Sequence, residues 1–287
     1  MAIAHYSKRI RSDFIIIPQN GEELVFDNGM NPVTGYLNAI SGLGKEELFY
    51  GYNGMNTKTP EYLRDEWIGY LDFAKTQGKA ILVTDYCYDT VLIDSSYMLN
   101  NQQGYVSFAA DSRELDRVPS YPTVPFNMNE DSVTSLNKAR NFLYLINPEN
   151  FATKEEYLNS LSRKDFDLLI IDAFYRGNIL TSEDLTLLKQ KSNGARRLVI
   201  AYVSIGEAEN YRYYWKDNWY SNPPSYLCEE NPEWPGNYAV KYWDSRWQSI
   251  IFGNDSSYIK KIIDAGFDGV YLDKVDEYEY FEEKGCQ

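Results

Sequence analysis

Several acidic residues close short apolar runs. Leu168-Leu169-Ile170-Ile171 is followed by Asp172, Ala80-Ile81-Leu82-Val83-Thr84 by Asp85, and Gly269-Val270-Tyr271-Leu272 by Asp273. Glu207 follows Tyr202-Val203-Ser204-Ile205-Gly206, Asp244 follows Tyr242-Trp243, and the first run leads into Pro18-Gln19-Asn20-Gly21-Glu22. If these runs are parallel strands side by side, their acids and amides gather at one rim. Two carboxylates across a sugar-sugar bond are the usual equipment of glycoside hydrolysis. A single histidine, His5, excludes a Ser-His-Asp triad within the fold and any multi-histidine metal centre. Carboxylates must then carry the acid/base work. Each acid also has a structural reading, because Asp after a strand is a common helix N-cap, and Asp244 before Ser245-Arg246-Trp247 suits that role well. Gly42-Leu43-Gly44-Lys45 lacks both the third glycine and the Walker pattern that phosphate binding requires.

Aromatic residues make up 16% of the chain and crowd one stretch, Tyr211 to Trp247, which includes Tyr213, Trp215 and Trp243. Such rings either pack beneath a long loop or offer stacking faces to a ligand that is apolar on one face and hydroxylated at its rim. Sugars are ligands of that kind.

The elements that must position these residues alternate. Eight β-prone runs, Phe14 to Ile17, Leu48 to Tyr52, Ala80 to Thr84, Tyr105 to Ala109, Phe142 to Ile146, Leu168 to Ile171, Leu198 to Val203 and Gly269 to Leu272, are each followed by helical spacing. Fully apolar strands predict a parallel sheet covered on both faces, and eight repeats of the pattern predict an α/β protein of the (β/α)8 TIM-barrel class. A ninth run, Tyr238 to Trp243, means that one of the nine is extra, either this one or Tyr105 to Ala109. Thr59-Pro60, Thr153 with Glu156, and Thr181 read as helix starts, and Gly78 and Gly194 as stops. The 287 residues fit one barrel-sized domain. Within it, a Pro-rich connecting segment spans about 118–137 and an aromatic insertion about 207–237.

Lys plus Arg total 28 and Asp plus Glu 42, a formal charge of −14, which opposes partnership with nucleic acid or an anionic membrane surface. The apolar runs fall far short of the ~20 residues of a membrane helix. The first ten residues lack the apolar core of a signal peptide. Cys87, Cys228 and Cys286, odd in number and far apart, read as thiols without a role.

Three long segments resemble bacterial barrel glycosidases related to endo-α-1,4-polygalactosaminidase. They are Tyr202-Val203-Ser204-Ile205-Gly206-Glu207-Ala208-Glu209-Asn210-Tyr211-Arg212-Tyr213-Tyr214-Trp215, Asn231-Pro232-Glu233-Trp234-Pro235-Gly236-Asn237-Tyr238 and Gly266-Phe267-Asp268-Gly269-Val270-Tyr271-Leu272-Asp273. Phe14 to Glu22 is similar to another segment of that family. The resemblance implies a (β/α)8 hydrolase of an α-linked amino-sugar polysaccharide, working without metal or cofactor, and the chain is expected to be a monomer. It also implies a secreted or periplasmic parent, while the compartment of this chain stays open.

The resemblance makes Asp273 the first catalytic carboxylate; Asp172 and Glu207 are the leading partners because they follow neighbouring barrel strands, with Asp244 in reserve. Glu207, beside the aromatic insertion, is expected to be the general acid, with its pKa raised by apolar surroundings. Gln19, Asn20, Asp85 and Tyr202 are expected to hold hydroxyl or amino groups of the polysaccharide, and Tyr213, Trp215 and Trp243 to stack on its rings. Two departures stand out. The family carries a Glu two residues before the strand-end Asp, whereas this chain has Tyr271, so a carboxylate is either missing or supplied from another strand. If it is missing, the barrel binds carbohydrate without cleaving it. The segment order also differs, since the stretch like Phe142 to Tyr280 comes first in the family, and this chain therefore reads as a circular permutation.

Overall fold

The computed structural model describes residues 1–286. Eight parallel strands form its centre: β1 (Ile15–Pro18), β2 (Gly42–Glu46), β3 (Ala80–Tyr86), β4 (Val106–Ala110), β5 (Phe142–Leu145), β6 (Leu168–Asp172), β7 (Leu198–Ser204) and β8 (Gly269–Asp273). Their ladders make a five-stranded sheet in the order β1-β8-β7-β6-β5 and a three-stranded sheet β2-β3-β4. At one seam β1 meets β2, where the backbone N–H of Ser41 donates to Ile16 O at 2.8 Å and that of Asn20 to Gly44 O at 2.9 Å. At the other, Phe108 of β4 and Phe142 of β5 bring their rings within 5.8 Å. The sheet is thus parallel and central as expected, but among the described residues its ladders do not form one closed ring.

β6 and β7 are buried along their whole length, as their unbroken apolar runs require of strands covered on both faces. Seven of the eight expected runs coincide with these strands. The exception is Leu48 to Tyr52. The parallel strand there is β2, which lies earlier in the chain and ends at Glu46, while Tyr50–Gly51 turns into an antiparallel hairpin with Gly54–Lys58. The reason lies in the interior: a Cβ on Gly44 would collide with the Tyr271 phenol of β8, and one on Gly42 would approach Ala80 O to 2.6 Å. Space inside the sheet, not β-propensity, dictates the glycines that hide this strand from a propensity reading. Of the two runs suspected to be extra, Tyr105 to Ala109 belongs to the parallel set as β4. The other forms Asn237–Val240 in a small antiparallel sheet with Glu207–Glu209 and Leu227–Glu230, inside the aromatic insertion.

Helices cover the strands. Thr153 and Thr181 cap their helices through side-chain bonds to Glu156 N and Asp184 N, whereas the Thr59 hydroxyl donates to Glu47 O and the helix there begins at Glu61. The connection between β4 and β5 has no long helix. It is pinned by Lys191, buried with Asp167 at 2.5 Å, whose ammonium also donates to Asn129 O at 3.1 Å and Asp131 O at 2.9 Å. The cysteine expectation is corrected. Cys228 and Cys286 form a disulfide with Cα atoms 5.3 Å apart, tying the insertion to the residues after the last helix, Glu277–Glu283. Only Cys87 is a free thiol, and it is buried. No helix among the described residues is long and apolar enough to cross a membrane.

Candidate active site

A cavity of about 220 Å³ lies at the C-terminal ends of the parallel strands, where reactive groups of such sheets collect. The strand ends deliver Gln19 and Asn20 (after β1), Glu46 (β2), Tyr86 (β3), Tyr144 (β5), Asp172 (β6), Tyr202 (β7) and Asp273 (β8) to its wall. Asn20 adopts φ 58° and Lys274 φ 60°, left-handed backbone that is uncommon outside glycine, at the turns beside these carboxylates.

Asp273 accepts a hydrogen bond from Tyr202 Oη at 2.6 Å and one from the Lys274 backbone N–H at 2.7 Å. Its carboxylate is therefore oriented by two donors. Across β1, Glu46 accepts from the Gln19 side-chain amide and from the Tyr86 phenol, and more weakly from Asn20 Nδ2 at 3.4 Å. Gln19 is itself held by Tyr144 Oη, which donates to its Oε1 at 2.9 Å. Burial, and then the nearby negative charge of Asp273, push the Glu46 carboxyl up to about 7. Both carboxyl groups lining this cavity are fixed by donors, and Glu46 is in addition raised toward neutrality.

Around this pair, Arg212 bridges two acids. Its guanidinium forks onto Asp172 at 2.7 and 2.8 Å and onto Glu209 at 2.6 and 3.0 Å, all buried. Desolvation raises Asp172 to about 6, and the Arg212 charge opposes this. Glu207 pairs with Lys274 Nζ at 3.0 Å and accepts from Asn231 Nδ2 at 2.8 Å. Its setting is cationic and polar rather than the apolar one expected from sequence, which removes the physical argument for it as the acid. Gly206 lets this pair form, since a Cβ there would lie 2.5 Å from Lys274 O.

Gln19, Asn20, Asp172, Tyr202, Glu207 and Asp273, all singled out from sequence, share this one cavity. Four others do not. Asp85 points away into the helical layer, accepting from Phe49 N, Tyr50 N, Ser96 Oγ and Asn100 Nδ2. Asp244 caps the helix Ser245–Ile251 through Arg246 N and pairs with the Arg246 side chain. Trp243 packs edge-on against Phe281 at 4.7 Å, and Trp215 packs among Trp219, Tyr220 and Tyr238. Tyr213 stands at a larger outer cleft of about 650 Å³ that continues from the cavity through Asp172, Tyr211 and Arg212.

Glu46, Tyr86, Tyr144 and Arg113 line the cavity but were not singled out. The signal for Glu46 was the same strand-end acid rule, hidden because its strand is glycine-rich. Tyr271 fills the sheet interior over Gly44, and its hydroxyl is buried without a partner among the described residues.

Residues 129–287 match the model of the glycoside-hydrolase family GH114. Three relatives, all carrying the name uncharacterized protein, are similar in sequence. The chain is 43% identical to one from Methanocaldococcus jannaschii over 188 residues, covering 63% of this chain and 50% of the relative. It is 54% identical to one from Thermotoga maritima over 86 residues, covering 30% and 25%. It is 38% identical to one from Deinococcus radiodurans over 122 residues, covering 42% and 37%. The aligned stretch spans half or less of each of these relatives. Because the family match takes in more than half of its length, the chain belongs to glycoside-hydrolase family GH114.

Proposed function

We propose that the protein hydrolyses an α-linked glycosidic bond in an amino-sugar polysaccharide, with Glu46 as general acid and Asp273 as the carboxylate that either attacks the anomeric carbon or activates water. The observation that carries this reading is a buried carboxyl raised to about 7, Glu46, in one cavity with the donor-held Asp273. A carboxyl held near neutrality by burial suits proton donation to the leaving-group oxygen, and an oriented carboxylate suits stabilisation of an oxocarbenium-like transition state. Glu46 supplies from β2 the second carboxyl that Tyr271 does not, so the reading as a non-catalytic barrel loses its motive. Asp172, Glu207 and Glu209, each held by a cation, then position sugar rather than react.

The sugar class is argued from charge. The outer cleft carries Glu114, Asp116, Glu149, Asp172 and Glu233 against Arg176 and Arg212. With a chain charge of −14, this favours a free amine on the ligand. The test is incubation with de-N-acetylated and fully acetylated galactosaminoglycan, read by product mass. Cleavage of the first, abolished in Glu46→Gln and in Asp273→Asn with both variants folded, is the expected result. Equal cleavage of the two polymers would overturn the amine preference, and wild-type turnover in either variant the assignment of roles.

The same reading extends to architecture. The seam of β1 on β2 and the ring contact of β4 on β5 support the eight strands as a (β/α)8 barrel in circularly permuted order. The N-terminal helix Ala2–Ile10 fits that order, since Met1 to Ile3 share a pocket with Lys274 and Val275 just after β8. A chain joined from residue 287 to Met1 and re-opened near residue 128 is expected to fold with unchanged far-UV circular dichroism. Failure of that chain to fold would refute the permutation.

A further inference from the structure

On the outer side of the aromatic insertion lies a second groove, of about 860 Å³, that the catalytic reading does not use. Its charge is opposite to that of the rest of the molecule. Lys216, Arg246 and Lys261 line it and no carboxylate does, whereas the mouth cleft is rich in acids. Lys216 and Lys261 form no ion pair among the described residues, in contrast to Lys260 and Lys274, which hold Asp264 and Glu207. In a chain of charge −14, two unneutralised lysines over one concave surface, beside an arginine whose charge is paired with Asp244, are a local field that attracts anions.

The same groove presents aromatic surface. Lys261 sits 4.9 Å from the centre of the Tyr213 ring and Arg246 5.3 Å from that of Tyr226, so two of the cations lie against aromatic rings. Trp215 adds an indole N–H that is buried and has no acceptor among the described residues. Ser249, Asn254 and Ser256 also line the groove, held to one another by bonds from Asn254 Nδ2 to Ser249 Oγ at 3.2 Å and from Ser256 Oγ to Asn254 Oδ1 at 2.8 Å. Flat apolar faces, small hydroxyl partners and a few cations match a carboxylate-bearing sugar better than an acidic peptide, which needs backbone partners and offers no apolar ring face. Tyr213 also lines the mouth cleft, so the two surfaces meet at one ring.

We propose that this groove is a second carbohydrate site, selective for an anionic, uronate-type saccharide and distinct from the acid-lined cleft. It does not depend on the catalytic assignment, because its ligand is excluded from the mouth by charge. The test is calorimetric titration of the full chain with tri-galacturonate, with neutral galactotriose and with tri-glutamate at low salt. Tri-galacturonate should bind in preference to the other two. Affinity should fall about tenfold or more in Lys216→Ala/Lys261→Ala and weaken as salt is raised, because screening acts on exposed charges. It should survive Glu46→Gln, which leaves the groove untouched. Lys216→Glu, at an exposed position, gives a second readout should the double variant lose its fold. Absence of binding, equal binding by the lysine variants, equal affinity for galactotriose, or loss in Glu46→Gln would each overturn the proposal. Tighter binding of tri-glutamate would assign the groove to peptide instead.

Discussion

Glu46 and Asp85 end neighbouring parallel strands, and burial raises both carboxyls, yet they belong to different parts of the molecule. Asp85 is fully enclosed by four donors, two from the backbone of Phe49 and Tyr50 and two from Ser96 and Asn100 on the helix Thr90–Gln103. Glu46 faces a cavity and another acid. The difference is one of direction. Successive residues of a strand point to opposite faces, so on β3 Asp85 turns outward to the helices while Tyr86, one residue later, turns inward and donates to Glu46. An acid at a strand end is a candidate for chemistry only on the inward phase; on the outward phase it holds a loop to a helix.

The largest expected effect tests the inward member. Glu46→Gln keeps size and loses the proton donor, so turnover on a cleavable polymer should fall by about 10²–10⁴-fold, the usual worth of general acid catalysis. Its melting temperature should stay at or above that of the parent, because a buried group no longer has to ionise. Asp273→Asn should be similarly slow. A parental rate in Glu46→Gln would erase the distinction between the two acids.

The next effect tests the outward member. Asp85→Ala leaves two backbone N–H groups, a hydroxyl and an amide buried without their acceptor, and each such orphan costs about 1–3 kcal/mol. A loss of about 3 kcal/mol or more in urea unfolding is expected, with Asp85→Asn milder because it keeps an acceptor oxygen. Whatever fraction remains folded should turn over polymer normally. Activity lost in a fully folded Asp85→Asn would place this residue in the site after all.

The alternation that separates these two acids was legible in the sequence only where the strand itself was. β6, β7 and β8 announce themselves by branched apolar runs, and their acids Asp172 and Asp273 were found with them. β2 carries Gly42 and Gly44 because Tyr271 and Ala80 occupy the space a side chain would need, a constraint between strands far apart in sequence. Glu46 was therefore invisible to any local reading. The disulfide was equally out of reach, since nothing in the spacing of Cys228 and Cys286 foretells that the insertion folds back onto the end of the last helix. The Arg212 fork and the Lys274 pair on Glu207 likewise come from tertiary approach, and they change what Glu207 is suited for.

The comparison can be sharpened further by pH. Glu46 is raised to about 7, Asp276 to about 6 and Glu277 to about 8, burial being the first cause in each. A carboxyl whose folded pKa exceeds its unfolded value favours the fold fully below the unfolded value, near 4, and loses that contribution as pH rises through the folded one. Melting temperature should therefore decline between about pH 5 and pH 8. Over the same window kcat should fall with an apparent pKa near 7 as Glu46 ionises. Glu46→Gln should flatten part of the stability slope, while Asp276→Asn should change the slope and leave the pKa of the remaining activity near that of the parent. A rate that rises from pH 6 to pH 8 would contradict the acid role.

The smallest effect concerns a third acid, Asp244, which shares neither environment. It is half-buried, caps the helix Ser245–Ile251 by accepting from Arg246 N at 2.8 Å, and pairs with the same arginine's side chain at 2.6 Å. Those bonds favour its charged form and hold it down to about 2, the opposite direction from Glu46. By the same linkage, its contribution is present above the unfolded value near 4 and disappears as pH falls toward 2. Asp244→Ala should therefore lower the melting temperature slightly at pH 7, by less than Asp85→Ala, with the gap to the parent closing on acidification. Turnover should be unchanged, since the residue lies outside the cavity. Arg246 would lose its carboxylate partner and add an unpaired cation to the outer groove, so tri-galacturonate should bind this variant more tightly than the parent. Weaker binding would mean that Arg246 needs Asp244 to hold its place there, and a loss of turnover would mean that this acid reaches the site by a route the cap and ion pair do not account for.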